Sequence, residues 1–173
     1  MYDLIVVGGG PVGLYTAKLC EDLNVLVIEE HKKIGLPNHC SGLVSSHLAD
    51  FFEIDDSWIE HKINGAVLHS PSGIRVNLEK NGVAYVIDRG KFDQWLSKQI
   101  DSEIMMNTNV SGIEIKADKV EVKTNKGVFK SKMLVGADGS SSIVAKTFGM
   151  RPREVLQSII ATVNVKNYSE FVE

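Results

Sequence analysis

Residues 2–13 have the sequence YDLIVVGGGPVG, and this stretch decides the fold. Its apolar run predicts a buried strand, and the glycines that follow predict a tight turn into a helix. Gly8 permits the turn, Gly10 has no side chain to obstruct a phosphate, and Gly13 lets the helix lie close to the sheet. The first N–H groups of such a helix have no partner within it and favour an anion. The stretch therefore predicts a turn that binds the pyrophosphate of a dinucleotide.

A second apolar run, Val25–Ile28, ends in Glu29. A continuous apolar run is typical of a parallel strand that is buried on both faces. Glu29 lies at the sequence distance from the glycines at which such units bind ribose hydroxyls. The alternative is an ordinary strand, turn and helix with a glycine-rich bend. From these two stretches the candidate residues for cofactor binding are Gly8, Gly10, Pro11, Val12, Gly13 and Glu29.

The composition limits the classes of function. The 173 residues, 43% hydrophobic and 24% charged, suffice for one well-cored domain or for one domain and part of another. A net charge of −3 without a sustained basic run argues against nucleic acid as a partner. No apolar run has the length of a membrane span, and no histidine or cysteine cluster has metal-ligand spacing, so no metal is expected. Cys20 and Cys40 show no disulfide spacing and indicate a reducing, cytoplasmic location.

The remaining pattern predicts an α/β fold in which a parallel sheet packs against helices and an antiparallel β-meander is inserted. Predicted helices cover residues 11–22, 43–52 and 90–100. Predicted strands cover residues 25–28, 63–69, 74–78, 83–87, 103–106 and 133–135, and the meander covers residues 110–115, 120–123 and 128–131. Hairpin turns are predicted at residues 71–73 and 80–82.

The end of the chain carries a further apolar, β-branched stretch over residues 155–165, which predicts a strand. No later stretch offers it a partner, and an unpaired strand edge is a liability. We therefore expect the chain to be a fragment of a longer protein, although the strand has the alternative of pairing with an earlier strand or with another copy. The expected domains are a dinucleotide-binding domain over residues 1–150 and the start of a substrate domain over residues 151–173.

Three further motifs give the chain a resemblance to known proteins. Residues 136–142 have the sequence GADGSSS, residues 89–96 follow the pattern RxxFDxxL, and residues 37–42, PNHCSG, match the pattern PxxCxG. Together with the glycine turn and Glu29, the first two resemble the flavoprotein monooxygenase superfamily. The third resembles the signature of the geranylgeranyl reductase family. The chain is therefore similar to the N-terminal FAD-binding part of that family over residues 1–150.

This resemblance implies FAD as the cofactor, a Rossmann-like FAD-binding domain and further site residues. Cys40 would lie beside the flavin or the substrate, and it is the candidate catalytic residue. Arg89 would pair with the pyrophosphate, and Asp138 would hydrogen-bond the cofactor, cap the next helix, or do both. Val110 would contact the adenine through its backbone. The residues that the resemblance adds to the cofactor site are Cys40, Ser41, Gly42, Leu43, Arg89, Val110, Asp138 and Gly139.

The chain also departs from the family pattern. The family's GADG motif usually ends in arginine, where this chain has Ala145. The later glycine–aspartate motif that binds the ribityl chain and the aromatic-rich substrate signature do not occur in the sequence, so we expect the chain alone to be inactive. Cys40 has the alternative role of a small packing residue. Arg89 has the alternative role of a surface ion-pair partner of Asp88 or Asp93.

The resemblance implies a reaction that saturates C=C bonds in the polyprenyl chain of a lipid or quinone. Reduced flavin would deliver a hydride to one alkene carbon while a proton reaches the other. The implied partners are that lipid or quinone, an unidentified electron donor and, for the full-length protein, a membrane surface contacted peripherally. Two other functions stay open: an FAD- and NAD(P)H-dependent aromatic hydroxylase, and a non-catalytic prenyl-binding or dinucleotide-binding fragment.

Overall fold

The computed structural model describes residues 1–150, 156, 158–161 and 171–172 of the chain. The chain divides into two compact units, each formed by two segments. The first unit comprises Met1–Pro37 and Asp93–Gln157, and the second comprises Asn38–Phe92 and Ser158–Glu173. The expected boundary after residue 150 separates a dinucleotide-binding domain from a substrate domain. It is not a boundary between these two compact units, and it stays a prediction.

The described residues combine helices and strands in the order of an α/β protein, as predicted. In chain order the elements are β1 (Tyr2–Val7), α1 (Pro11–Leu19), β2 (Val25–Ile28), β3 (Leu43–Ser45), a 3₁₀ helix (Ser46–Asp50), β4 (Ile59–His69), β5 (Arg75–Ile87), α2 (Arg89–Ser97), β6 (Glu103–Met105), β7 (Val110–Ile115), β8 (Val120–Thr124), β9 (Gly127–Gly136), α3 (Ile143–Thr147) and β10 (Phe171–Val172). Each helix in the described part of the chain is too short or too polar to cross a bilayer.

The first unit is built on a six-stranded sheet with the strand order β6-β2-β1-β9-β8-β7. The strands β6, β2, β1 and β9 run parallel, and β9, β8 and β7 form the antiparallel meander. Side chains along β1 alternate between the two faces of the sheet. Ile5 packs in a core cluster with Val144 of α3, whereas Val6 packs in another with Ala17 of α1. Because both faces of the parallel strands are covered, residues 4–7 of β1 and all of β2 are continuous apolar runs.

Strand β9 differs from the sequence prediction, which placed separate strands at residues 128–131 and 133–135. It is a single strand of ten residues. Its first half pairs antiparallel with β8 and its second half pairs parallel with β1, and Ser131 belongs to both ladders. The prediction of two strands was wrong because residues 131–133 contain no glycine or proline and the Ser131 hydroxyl is satisfied locally by the carbonyl of Met133, so the backbone continues in extended conformation.

The second unit contains a four-stranded sheet with the order β10-β4-β5-β3. Its centre is the antiparallel pair β4 and β5, joined at the predicted turn, where the N–H of Ser70 donates to the carbonyl of Ile74 at 2.8 Å. The second predicted turn, at residues 80–82, was wrong. Residues 80–83 instead form a bulge within β5, in which Gly82 has a φ of +59° and donates its N–H to Asn64 Oδ1 at 2.8 Å. A bulge uses the same turn residues without reversing the chain.

The predicted helix at residues 43–52 was wrong in its first part. Residues 43–45 form β3, which pairs with β5, and the 3₁₀ helix begins only at Ser46. Ser45 starts it by accepting the N–H of His47 on its hydroxyl at 3.3 Å. The predicted strand at residues 155–165 lies outside the described residues, apart from residues 156 and 158–161, which form no strand.

Candidate functional site

Two of the sequence motifs meet where β1 and β9 end side by side. The N–H of Ala137 donates to the carbonyl of Val7 at 2.7 Å, so the GADG motif begins beside the glycine turn. Gly8 has a φ of +106°, which favours glycine, and a Cβ there would lie 2.3 Å from the carbonyl oxygen of Ala137. The absence of a side chain at Gly8 thus lets the two loops approach closely. This edge carries the carboxyl ends of parallel strands, the usual place for ligands in open α/β sheets.

The other two glycines of the turn have different surroundings. A Cβ at Gly13 would lie 1.9 Å from the carbonyl oxygen of Gly8, so this glycine is required for close packing of α1 against the turn. A Cβ at Gly10 would have no atom of the described chain within 4 Å. Gly10 is the N-cap of α1 and provides no side-chain cap, and Pro11 and the exposed Val12 follow it at the start of the helix. The open space at Gly10 therefore lies at the start of α1, where the N–H groups of a first helical turn have no partner within the helix and favour an anion.

Glu29 lies at the end of β2 and is only 8% exposed. Its Oε2 accepts the N–H of Gly9 at 2.7 Å, which ties the acid to the glycine turn. Its Oε1 accepts the backbone N–H of His31 at 2.8 Å and lies 2.6 Å from the imidazole Nδ1 of the same residue. Both backbone groups of Glu29 are also hydrogen-bonded: its N–H donates to the carbonyl of Met105, and its carbonyl accepts the N–H of Thr108. The carboxylate is therefore held in one orientation.

Asp138 accepts the first N–H groups of α3 and thereby supports the N-cap residue of that helix, Ser142. Its Oδ2 accepts the N–H of Ile143 at 2.7 Å and that of Val144 at 3.3 Å, and its Oδ1 accepts the hydroxyl of Ser142 at 2.6 Å. Capping is thus visible in the contacts of Asp138, and its contact with a cofactor stays a prediction. Gly139, with a φ of +73°, lets the chain turn back toward α3.

Residues 38–42 of the PxxCxG motif belong to the second unit and form a compact loop that leads into β3, whereas Pro37 is the last residue of the first segment of the first unit. Asn38 Oδ1 accepts the N–H of Cys40 at 3.1 Å, and the sulfur of Cys40 accepts the N–H of Gly42 at 3.5 Å. Ser41 accepts the N–H of Leu43 on its hydroxyl, also at 3.5 Å. Gly42 has a φ of +77°, and a Cβ there would lie 2.2 Å from the carbonyl oxygen of Ile87 on β5. The loop therefore has a defined conformation in which the Cys40 sulfur is turned toward its own backbone.

Arg89 opens α2 in the same unit. Asp88 precedes it and caps the helix by accepting the N–H of Lys91 on Oδ1 at 3.0 Å. This hydrogen bond holds the pKa of Asp88 below its ordinary value, and the ammonium group of Lys91, 3.5 Å away, acts in the same direction. Lys91 also pairs with Glu60 at 3.1 Å. The helix therefore begins with a fixed cap, and the role of Arg89 toward a phosphate stays a prediction.

The structure brings together only part of the predicted site. Within the first unit, the glycine turn, Glu29 and the start of the GADG motif are joined by the contacts given above. Val110 begins β7 and packs against the core, and the residues that contact the backbone of Glu29 are Met105 and Thr108. Cys40, Ser41, Gly42, Leu43 and Arg89 belong to the second unit.

Sequence reasoning did not single out Gly9 or His31, whose contacts with Glu29 define the acid's geometry. For Gly9 the sequence signal was its place within the glycine run, and the structure gives the reason: a Cβ there would lie 2.7 Å from Ile34 Cδ1 and 3.0 Å from Glu29 Oε2. In the described residues no group of three or more His, Cys, Asp or Glu side chains is placed to bind a metal ion.

Comparison with known proteins shows which proteins this chain is similar to. The chain is 32% identical to the digeranylgeranylglycerophospholipid reductase of Methanosarcina acetivorans over 194 residues, which cover 99% of this chain and 48% of that protein. A solved geranylgeranyl bacteriochlorophyll reductase-like protein from Thermoplasma acidophilum matches with a TM-score of 0.72 and 29% identity, covering 81% of this chain and 40% of that one. Both similarities confirm the resemblance that the motifs indicated. No protein-family model matches the chain.

A more distant neighbour supports the fold alone. Halogenase PltM, solved in complex with phloroglucinol and FAD, matches with a TM-score of 0.69 at 18% identity, covering 86% of this chain and 36% of that one. The predicted fold class, a Rossmann-like domain with a parallel sheet and an inserted meander, is confirmed by these neighbours and by the sheet itself. The chain spans about half the length of the curated relatives it matches, 48% in the Methanosarcina acetivorans case.

Proposed function

We propose that this chain, a homologue of the digeranylgeranylglycerophospholipid reductases, is the FAD-binding part of an enzyme that saturates C=C bonds in polyprenyl lipids. The observation that carries the proposal is the meeting of three features at one edge of one sheet. The tight turn at Gly8, the GADG motif and the buried Glu29 are joined there by direct backbone and side-chain contacts. An edge of this kind supplies what a dinucleotide requires: a close backbone approach, free N–H groups and an acid for the ribose.

The contacts of the glycine turn fit the pyrophosphate of FAD. Open space at Gly10 and an N-cap without a side chain leave the first turn of α1 accessible to an anion. Pro11, Val12 and Gly13 would face the phosphates through their backbone, and Glu29 would accept hydrogen bonds from the adenosine ribose. An acid at this position disfavours a 2′-phosphate because the two negative charges would repel each other. FAD and other unphosphorylated adenosine dinucleotides therefore fit better than NADP.

The remaining assigned residues complete the proposed site. Arg89 would neutralise phosphate charge, Asp138 and Gly139 would approach the cofactor from the end of β9, and the backbone of Val110 would contact the adenine. Cys40 and its neighbours Ser41, Gly42 and Leu43 would line the flavin or the lipid. The flavin, when bound, supplies the electrons and the hydride for reduction of the double bond. The protein's part is to orient the alkene and to exclude water.

Cofactor binding is tested directly on this chain by titrating FAD and following its fluorescence. We expect FAD to bind the unmodified chain, and Gly10→Val to abolish binding because the side chain enters the space at Gly10. Gly112→Ala is a matched control, since a Cβ at Gly112 meets only the flexible side chain of Lys123 at 3.7 Å. Equal affinity of the Gly10→Val variant and the unmodified chain would contradict the assignment of the pyrophosphate site.

The reaction is tested on this chain fused in register to the remaining half of the Methanosarcina acetivorans relative, with that relative as positive control. The substrate is a digeranylgeranyl glycerophospholipid, and dithionite reduces the flavin. Mass spectrometry then follows the gain of one H₂ for each double bond that is saturated. We expect the fusion to reduce the lipid and its Gly10→Val variant to fail. A fusion that binds FAD stoichiometrically and leaves the lipid unchanged would overturn the proposed reaction.

A further inference from the structure

The carboxylate of Glu29 already receives three hydrogen bonds within the protein. The backbone N–H of Gly9 donates to Oε2. The backbone N–H and the imidazole Nδ1 of His31 both hydrogen-bond to Oε1. A carboxylate only accepts, so the Nδ1 of His31 carries the proton of this contact. Each carboxylate oxygen has two lone pairs. Oε1 is therefore filled, and Oε2 retains one free position.

The adenosine ribose of a dinucleotide presents two neighbouring hydroxyl groups. With His31 in contact, Glu29 has a free acceptor for one of them. The second hydroxyl can be accepted only if a donor on Oε1 leaves. The backbone N–H of His31 is fixed by the chain, whereas its side chain is 45% exposed. The contact of its Nε2 with Glu30 Oε1, at 3.9 Å, is long and exposed, so the ring can rotate toward solvent. The imidazole is thus the one of the three donors that a ribose can displace.

We infer that His31 is a specificity-determining residue of the proposed nucleotide site, because its imidazole competes with a ribose hydroxyl for Oε1 of Glu29. The inference rests on the proposed function. Glu29 is almost fully buried, with 10% of its side chain exposed, so an acceptor that loses its donor there is poorly compensated by water. Removal of the imidazole leaves such an acceptor in the free protein, and a ribose hydroxyl then satisfies it. Nucleotide affinity therefore rises when the ring is removed.

The test compares ADP, 2′-deoxy-ADP and 3′-deoxy-ADP by calorimetry on the whole chain. The variants are His31→Ala and His31→Phe, which keeps a ring without a donor. His47→Ala is the control, because it removes an exposed imidazole that also pairs with a carboxylate, that of Asp50. We expect both His31 variants to bind ADP more tightly by a factor on the order of ten, about the worth of one hydrogen bond to a charged acceptor. The control variant should bind ADP as the unmodified chain does.

The deoxynucleotides separate competition from a structural role. The unmodified chain should bind 2′-deoxy-ADP and 3′-deoxy-ADP about as tightly as ADP, since the one free acceptor position on Glu29 Oε2 can take whichever hydroxyl remains. In the His31 variants, loss of either hydroxyl should remove most of the gain. Weaker binding of all three nucleotides by both variants would show that the imidazole positions Glu29, and unchanged binding would show that it is irrelevant; either result overturns the inference. If the unmodified chain binds neither FAD nor ADP, the proposed function is overturned instead.

Discussion

Gly10 and Gly13 belong to one turn, and the structure predicts different results when each receives a methyl group. Gly10 has extended backbone angles, φ −77° and ψ −179°, and its Cβ would meet nothing within 4 Å. Gly10→Ala should therefore leave the fold intact and change the free energy of unfolding by less than about 1 kcal/mol, because the gain from a more restricted unfolded chain, about 0.4–1 kcal/mol, is offset by alanine being a poorer N-cap than glycine. At Gly13 the new Cβ would lie 1.9 Å from the carbonyl oxygen of Gly8 and 3.1 Å from its carbon.

Those two neighbours of Gly13 are backbone atoms, which no side-chain rotation can move. Relief requires α1 to shift away from the turn by more than an ångström, and overpacking of this kind costs roughly 1–3 kcal/mol or more. Urea denaturation followed by circular dichroism measures both changes in unfolding free energy. The prediction is little change for Gly10→Ala, a large fall for Gly13→Ala and little change for the Gly112→Ala control.

For FAD binding, in contrast to stability, the Gly10→Ala substitution should be harmful. Its methyl group occupies the space proposed for the pyrophosphate, so Gly10→Ala should weaken FAD binding at least about tenfold, equivalent to about 1.4 kcal/mol. FAD fluorescence titration of the stable variant measures this loss without interference from unfolding. A Gly10→Ala variant that is as stable as the original and binds FAD equally well would refute the placement of the phosphates. A Gly13→Ala variant with unchanged stability would refute the close contact between helix and turn.

Three further predictions concern other parts of the chain. Asp138→Ala leaves the N-cap residue Ser142 in place but removes the carboxylate that accepts the N–H groups of Ile143 and Val144, and it should lower the free energy of unfolding by about 0.5–2 kcal/mol, measured by urea denaturation, with Asp138→Asn as the milder comparison. If Cys40 lies beside the flavin, FAD should slow its alkylation by iodoacetamide and leave that of Cys20 unchanged; equal protection of both would contradict the placement. The hydrogen bond from Lys116, supported by Lys123, lowers the pKa of Glu114 from 4.5 to about 2. The stabilisation from this carboxylate is thus complete above pH 4.5 and lost as the pH falls toward 2, a loss that Glu114→Gln should lack in acid titrations of stability.

The dinucleotide-binding unit could be predicted from the sequence because its determinants are local. The turn requires glycine at Gly8 for its positive φ and at Gly13 for a contact that spans only a few residues. Glu29 follows at the end of the next strand. Successive residues of β1 are apolar because both faces of the strand are covered. Apart from the packing of α3 on one face of β1, these requirements act within β1, the turn, α1 and β2. A pattern search along the chain therefore detects them without knowledge of tertiary structure.

The features that the sequence did not reveal depend on pairing between distant segments. Residues 80–83 contain good turn residues, and only the ladder with β4 determines that they bulge and do not reverse the chain. The contact of His31 with Glu29 depends on where the chain leaves β2, which is set by the hydrogen bond of His31's carbonyl with Asn107. No local pattern encodes that hydrogen bond.

Strand β9 shows how such a long-range feature builds the site. Ser131 is fully buried, pairs with Val120 of the meander and with Tyr2 of the parallel sheet, and donates its hydroxyl to the carbonyl of Met133 at 2.7 Å. The local hydrogen bond satisfies the hydroxyl without a turn, so the strand passes straight from one ladder to the other. Because β9 continues beside β1 to its end, Gly136 pairs with Val7 and the GADG motif emerges next to the glycine turn. The meander, which contributes no assigned phosphate contact, thus sets the register that brings the second motif to the first.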